Sequence, residues 1–154
     1  MVVVDTDVLL LEFAFHRDPR AQPSRDFLGV VRDRQPATTV YNLMELLGHL
    51  SFNLSPDRLE AWPEWLQRAF NLSILWPEAG GAGVSDEFFE AEIFLRPLAK
   101  MRAHRMAFLD SLVLGVAESA PDVTAFVTWN ARHFKDKSPL PVLTPEEYLA
   151  SGEP

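Results

Sequence analysis

The chain has 154 residues, which fits one folded domain and leaves little room for a second. Of these residues 47% are hydrophobic, with eleven Phe and four Trp, so the chain can bury a core and a disordered protein is excluded. It has no Cys, which excludes disulfides and thiolate metal sites and favours a cytoplasmic protein. The start, Met1 to Asp5, lacks the basic region of a signal peptide, and no apolar run approaches the roughly 18 residues of a membrane span, so no membrane association is expected.

The net charge of −8 argues, by itself, against broad electrostatic binding to nucleic acid. Two groups of basic residues stand out against it. The first basic group is Arg96, Lys100, Arg102, His104 and Arg105, and the second basic group is Arg132, His133, Lys135 and Lys137. Each group is either an ordinary solvated face or a local contact for an anionic ligand, and the sequence leaves both interpretations open.

In the first half of the chain, the apolar periodicity and the capping residues predict two strands and four helices. A β-branched run at 2–4 predicts a buried strand, which Asp5-Thr6-Asp7 follows. Helices are predicted over 8–15 and, from an N-cap at Ser24, over 24–34. A strand at 37–40 and an apolar helix at 41–53 come next, followed by a helix to about residue 70 that Ser55 caps and that has Pro56 at its first position.

The second half of the chain continues the alternation of strands and helices. A strand at 72–76 leads into a connector, Gly80 to Gly83, which lacks the Gly-Lys-Ser/Thr ending of a phosphate-binding loop. One helix over 85–104 with a kink at Pro97 is expected, followed by a helix at 107–119 and strands at 124–128 and 142–143. A capping box from Thr144 to Glu147 starts a last helix. The alternation predicts a single α/β domain over 1–154, with a mainly parallel central sheet of four to five short strands flanked by helices.

Polar residues follow two of these strands directly. In parallel sheets, ligands bind beyond the carboxyl ends of the strands, which singles out Asp5-Thr6-Asp7 and Thr128-Trp129-Asn130. The simpler alternative for both segments is a turn, where Asp and Asn are common.

Two further carboxylates lie inside apolar helices. Glu45 stands within the apolar run from Leu43 to Leu47, either in a site or on a narrow solvent stripe with Asn42 and His49. The helical neighbours of Asp110 on its own side are all apolar, so it needs a partner, a cation or a role in capping its helix.

Taken together, these carboxylates suggest a partly dry pocket rich in oxygen ligands. Such a pocket suits Mg²⁺ or Mn²⁺, which can generate hydroxide and orient a scissile phosphate.

Four segments also stand in the order and spacing of the motifs of a known family. They are VVVDTDVLL at 2–10, TVYNLMEL at 39–46, FLDSLVLGVA at 108–117 and VTWNARHF at 127–134. By these segments the chain resembles the PIN-domain family, especially the VapC-type toxins of bacterial toxin–antitoxin pairs. The resemblance covers nearly the whole chain and implies a three-layer PIN-like domain.

The resemblance assigns roles to individual residues. Asp5, Glu45 and Asp110 would bind Mg²⁺ or Mn²⁺ and act in catalysis with Asn130. Asn130 stands where many members have a fourth acid, so the choice between one and two metals stays open. The residues that would contact the substrate or support the acids are Thr6, Asp7, Thr128, Arg132 and His133.

The implied activity is hydrolysis of RNA phosphodiester bonds by a cytoplasmic endoribonuclease. Single-stranded or loop RNA is the expected target, because its bases can be reached. A cognate antitoxin and a homodimer are the implied protein partners.

Two other functions stay open. A phosphatase of the haloacid dehalogenase type would also have an Asp-x-Asp after a strand, but it needs a downstream Lys and a late acidic pair. The chain offers only Lys100, Lys135 and Lys137 and no Asp-Asp pair. A PIN-like module that binds protein without catalysis is the second alternative, because of Asn130 and the acidic charge.

Overall fold

The computed structural model describes residues 1–78 and 85–152, so the predicted connector at Gly80 to Gly83 lies outside the described residues. Within them, one sheet contains five strands in the order β3-β2-β1-β4-β5, and every pair of neighbours is parallel. The strands are β1 (Val2–Val4), β2 (Ala37–Thr39), β3 (Ser73–Leu75), β4 (Ala125–Val127) and β5 (Val142–Leu143). The predicted α/β fold with a parallel sheet is therefore confirmed.

Helices follow each of the five strands. They are α1 (Thr6–Phe13), α2 (Ala21–Val31), α3 (Val40–Leu50), α4 (Pro56–Phe70), α5 (Asp86–Glu90), α6 (Arg96–His104), α7 (Phe108–Ser119), α8 (Ala131–Phe134) and α9 (Pro145–Ser151). In the part of the chain that the structure describes, none of the helices is long and apolar enough to cross a membrane.

The helices form a layer on each face of the sheet. Neighbouring residues of a strand point to opposite faces, so Val2 and Val4 enter one apolar cluster and Val3 enters the other. The first cluster contains buried side chains of α1, α2 and α3, such as Phe27 on α2, and the second contains those of α7, such as Leu114. The fold therefore has the three layers that the sequence predicts.

The strand order places a switch point between β1 and β4. From β1 the chain moves outward to β2 and β3 on one side, and β4 and β5 lie on the other side. At such a point the connections diverge, and a crevice opens at the carboxyl ends of the strands. Asp5 and Thr128, the residues directly after β1 and β4, stand at this crevice.

Two predicted helix starts are wrong. α1 begins at Thr6 rather than at residue 8, because Asp5 caps it. α2 begins at Ala21, and Ser24 is a buried residue inside the helix rather than its N-cap. The Ser24 hydroxyl accepts a hydrogen bond from Trp129 Nε1 at 2.7 Å, which ties α2 to the segment after β4.

The single helix predicted over 85–104 is confirmed in its extent, since Ser85 caps it and residues 86–104 are helical without a break, but it is not a regular α-helix throughout. A π-helical turn at Ala91–Leu95 separates α5 from α6. Pro97 has no N–H, and its ring would clash with the carbonyl four residues earlier in a regular helix. It fits the first turn of α6, where no intrahelical donor is needed, and the wider turn before it absorbs the mismatch. The short helix α8 was not predicted at all.

The Ser24–Trp129 hydrogen bond can be tested by Ser24→Ala. The substitution leaves the indole N–H without its acceptor, and we expect a loss of about 1–3 kcal/mol in the free energy of unfolding. Urea denaturation measures this loss, and Ser51→Ala, at an exposed serine, is the control with a change within about 0.5 kcal/mol. Equal stability of the two variants would contradict the assigned role of Ser24.

Candidate active site

Asp5 is the most constrained side chain of the site. Its backbone N–H donates to Val127 O at 3.0 Å, which joins the ends of β1 and β4. Its carboxylate accepts from Thr6 N at 2.8 Å and from Asn42 Nδ2 at 2.7 Å, both at Oδ1. Only 9% of Asp5 is exposed. Asp5 is thus buried and held in a fixed orientation through Oδ1.

Asn42 is a site residue that the sequence analysis missed. The alternative of a solvent stripe that includes Asn42 is wrong, since Asn42 is fully buried. Thr39 and Asn42 form a capping box at the start of α3, and Asn42 Nδ2 donates to Asp5 and to Thr6 Oγ1. The Thr6 hydroxyl in turn donates to Asn42 O at 3.3 Å, so Thr6 supports Asp5. The Thr-x-x-Asn pattern at the end of β2 is the signal that could have identified it.

The predicted acids line one cavity of about 170 Å³ beyond the carboxyl ends of β1 and β4. Leu10 and Phe134 contribute its apolar wall. We call this cavity the acid cavity. Its polar lining consists of Asp5, Thr6, Asp7, Glu45, Asp110 and Asn130. These polar residues lie directly after β1, in α1, in α3, in α7 and directly before α8, so residues up to 125 positions apart in sequence are brought together at one place.

The acid cavity concentrates negative charge without a cation among its lining residues. Burial raises the pKa of Asp5 to about 7, with the charges of Asp7 and Glu45 adding to the effect and hydrogen bonds from Thr128 and Thr6 opposing it. Burial also raises the pKa of Asp7. The ionised site is therefore destabilised by desolvation and by repulsion between like charges, and a bound cation would relieve both.

Glu45 and Asp110 are both half-buried at this cavity. Among the described residues, Glu45 has neither a hydrogen-bond nor an ion-pair partner. Asp110 lies in the first turn of α7 but does not cap it, because the N-cap is Ala107 and no side chain caps the helix. Asp110 Oδ2 lies 3.0 Å from His133 Nε2 instead, which is an ion pair when the imidazole is protonated.

Asp7 holds the segment after β4. Its carboxylate accepts from Thr128 Oγ1 at 3.0 Å, from Trp129 N at 3.2 Å and from Asn130 N at 3.1 Å. Both oxygens of Asp7 are occupied in this way, and Asn130 is fixed at the rim of the cavity. Arg132 is exposed and is not among the residues that line the cavity.

The donor set fits a hard divalent cation. In the parts of the chain at 1–78 and 85–152, no group of three or more His, Asp or Glu side chains stands ready to hold a metal ion. Mg²⁺ and Mn²⁺ do not require such a cage, because Mg²⁺ in particular keeps several waters and uses one or two carboxylates. Asp5, Glu45 and Asp110 around a cavity with room for water meet that requirement.

Both basic groups are partly neutralised within the chain. In the first basic group, Arg96 pairs with Glu92, and Lys100 pairs with Glu118. In the second basic group, Lys135 pairs with Glu147, and His133 faces Asp110. These pairs favour ordinary solvated faces over broad anion-binding surfaces.

No family model matches the chain, and no curated protein matches it in sequence. Solved structures do match. One is VapBC2 from Rickettsia felis, bound to a DNA fragment from their promoter, with a TM-score of 0.60 and 15% identity over 94% of this chain and 98% of that chain. Another is FitAcB from Neisseria gonorrhoeae, with a TM-score of 0.61 and 15% identity over 95% of this chain and 99% of that chain.

The chain has the fold of these proteins. The expected PIN-like architecture is confirmed over nearly the full length of the chain. A sequence identity of 15% shows a shared fold but not shared residue roles, so the roles of individual residues rest on the geometry of the acid cavity.

The unfavourable burial of a charged Asp5 predicts that the stability of the metal-free protein depends on pH. Because the pKa of Asp5 rises to about 7 on folding, the folded state binds more protons than the unfolded state between about pH 4 and pH 7. Stability from this group is present at the acidic end of this window and is lost as the pH rises through it. Asp5→Asn removes the charge, so it should stabilise the metal-free protein at pH 8 by on the order of a few kcal/mol and have little effect at pH 4.

Urea denaturation in the presence of chelator, at several pH values, measures the difference in free energy of unfolding between wild type and Asp5→Asn. The control is Asp57→Asn, at an exposed residue of α4. A constant difference between wild type and Asp5→Asn from pH 4 to pH 8 would contradict the burial of an ionised Asp5.

Proposed function

We propose that the protein is a metal-dependent endoribonuclease and the toxin component of a type II toxin–antitoxin pair. The observation that carries the proposal is the convergence of Asp5, Glu45 and Asp110 on one cavity that has no cation among its lining residues. The resemblance of the four sequence segments to VapC-type toxins supports the choice of RNA as substrate.

In the proposed mechanism, Mg²⁺ or Mn²⁺ would supply a water of lowered pKa and neutralise charge that develops on the scissile phosphate. The chain itself positions the reactants. Asp5 is oriented by Thr6 and Asn42, and this fixes where the carboxylate oxygen points before any ligand binds. Hydrolysis would add one water across the P–O bond: the water oxygen would bond to phosphorus as the bond to the leaving oxygen breaks, the water would give up a proton and the leaving oxygen would take one up, which yields two RNA fragments.

Residues at the rim would hold the substrate. Asn130, fixed by Asp7, can donate or accept a hydrogen bond at the phosphate or at the attacking water. His133 supplies a donor beside Asp110 for a phosphate oxygen. Arg132, exposed on the same short helix, would contact a phosphate farther along the strand.

The partners follow from the same resemblance. A cognate antitoxin would block the site, and two copies of the chain would form a homodimer in the cytoplasm. VapBC2 and FitAcB, two of the solved structures that this fold resembles, support an antitoxin partner.

A PIN-like binding module is the second candidate, favoured by the neutral Asn130 and by the lack of a ready cluster of metal ligands among the described residues. A phosphatase of the haloacid dehalogenase type is disfavoured, because both oxygens of Asp7 already accept hydrogen bonds.

Cleavage of RNA tests the proposal. Purified protein should cleave a short single-stranded RNA or total RNA with Mn²⁺ or Mg²⁺ but not in excess chelator. Asp5→Asn and Asp110→Asn should lose at least about a hundredfold in rate, because each removes a charged ligand of the proposed metal. Asp57→Asn should cleave as the wild type does. Equal cleavage by all variants would indicate a contaminant, and no cleavage with either metal would favour the binding module.

Asn130→Asp tests how the rim contributes to metal binding. The substitution adds a carboxylate to the acid cavity, so Mn²⁺ affinity should rise by up to about tenfold, which is about 1.4 kcal/mol. Isothermal titration calorimetry measures the affinity, with the exposed Asn53→Asp as the matched control. If both variants bind Mn²⁺ as the wild type does, Asn130 lies too far from the ion to matter.

A further inference from the structure

A second depression adjoins the acid cavity. Asp7 and Leu10 line both of them. The second depression has a volume of about 250 Å³, and its other lining residues include Phe15, Asp18 and Arg20. These three belong to residues 14–20, the loop between α1 and α2, here called the α1–α2 loop. A polymeric ligand that extends from the acid cavity into this second depression would therefore contact the loop.

Arg20 is held in a fixed orientation in the loop. Its Nε and Nη2 donate to the two carboxylate oxygens of Asp18, at 2.9 and 2.8 Å. These bonds lower the pKa of Asp18 to about 2, so the pair stays ionised at neutral pH. The guanidinium carbon also lies 6.0 Å from the ring centroid of Trp129, whose backbone is bound to Asp7. Because Trp129 is anchored to the site, Arg20 is anchored to it as well.

This pairing does not use up the guanidinium. Arginine has five N–H donors, and Asp18 accepts two of them. The Arg20 side chain is 52% exposed. The remaining donors are therefore accessible to a phosphate group.

Phe15 and Arg17 are further residues of the loop, and Arg17 lines a neighbouring depression that shares Phe15 and Asp18 with the first. Phe15 is 56% exposed, beside the depression that it lines. Arg17 is exposed and makes no hydrogen bond or ion pair within the described parts of the chain. Two arginines against one aspartate give the loop a formal charge of +1 in a chain of charge −8. Accessible aromatic faces combined with cations are the chemistry that binds single-stranded nucleic acid.

We propose that the α1–α2 loop is a substrate subsite for single-stranded RNA, in which Phe15 stacks on a base while Arg20 and Arg17 contact the phosphates next to the acid cavity. The inference rests on the proposed function for its substrate class. It gives an acidic protein a way to engage a polyanion, since the loop carries Arg17 and the remaining donors of Arg20 close to the site.

The test separates RNA binding from cleavage. Phe15→Leu, Arg17→Gln and Arg20→Gln are each made in an Asp5→Asn background, and fluorescence anisotropy measures binding of a labelled single-stranded RNA across a range of salt concentrations. Phe52→Leu and Arg58→Gln are matched controls at exposed positions. Arg17→Gln tests charge without disturbing the Asp18–Arg20 pair.

We expect Phe15→Leu to weaken binding by about fivefold or more through lost stacking, with the salt dependence unchanged. Arg17→Gln and Arg20→Gln should each reduce the slope of log K against log salt concentration by about 0.7, the value for one lost phosphate contact on a single strand. Both controls should bind as the parent does.

Several outcomes overturn the inference. The inference is overturned if the loop variants bind RNA as tightly as the control variants do. If the wild-type protein nevertheless cleaves RNA, the proposed function stands without the subsite. A parent that binds no RNA would also overturn the inference. If the loop variants weaken binding but the wild type cleaves with neither metal, the subsite stands and the proposed nuclease activity fails.

Discussion

Asp5 is a buried carboxylate that receives hydrogen bonds from neutral donors, the backbone of Thr6 and the side chain of Asn42. Neutral donors can orient a carboxylate but do not cancel its charge, so the desolvation cost and the repulsion from Asp7 persist. The same side chain caps α1 and links β1 to the start of α3. The elements that carry Thr6, Asp7 and Asn42 therefore depend on a group that is electrostatically unfavourable in the metal-free state. Retaining such strain at one position is typical of a functional site.

The distribution of charge follows from this constraint. Negative charge is concentrated at the acid cavity, whose lining residues include no cation, and His133, which faces Asp110, is positive only when protonated. Several cations elsewhere are paired with acidic neighbours, as Lys100 is with Glu118. A polyanion would meet repulsion at the cavity until a divalent cation is bound, and it would meet attraction at the α1–α2 loop beside the cavity. In the proposed function, binding of metal and binding of RNA would therefore be coupled through electrostatics.

The sequence predicted those parts of the site that depend on strand ends and helix faces. Asp5 and Asn130 follow strands, and a parallel sheet brings such ends together. Glu45 and Asp110 are anomalies in apolar helices, which indicates a partner without naming it. The role of Asn42 could not be read from periodicity, because its burial depends on how α3 packs against the start of α1. Ser24 was mistaken for a cap for a similar reason: its partner, Trp129, is 105 positions away.

The central claim is that Asp5, Glu45 and Asp110 hold a divalent cation, and crystals grown with Mn²⁺ test it most directly. An anomalous difference map should show a Mn²⁺ peak in the acid cavity, with a carboxylate oxygen of Asp5 as a ligand at about 2.1 Å and waters in the remaining positions. The account is contradicted if saturating Mn²⁺ leaves the cavity without a peak, or if the ion binds only at carboxylates elsewhere on the surface.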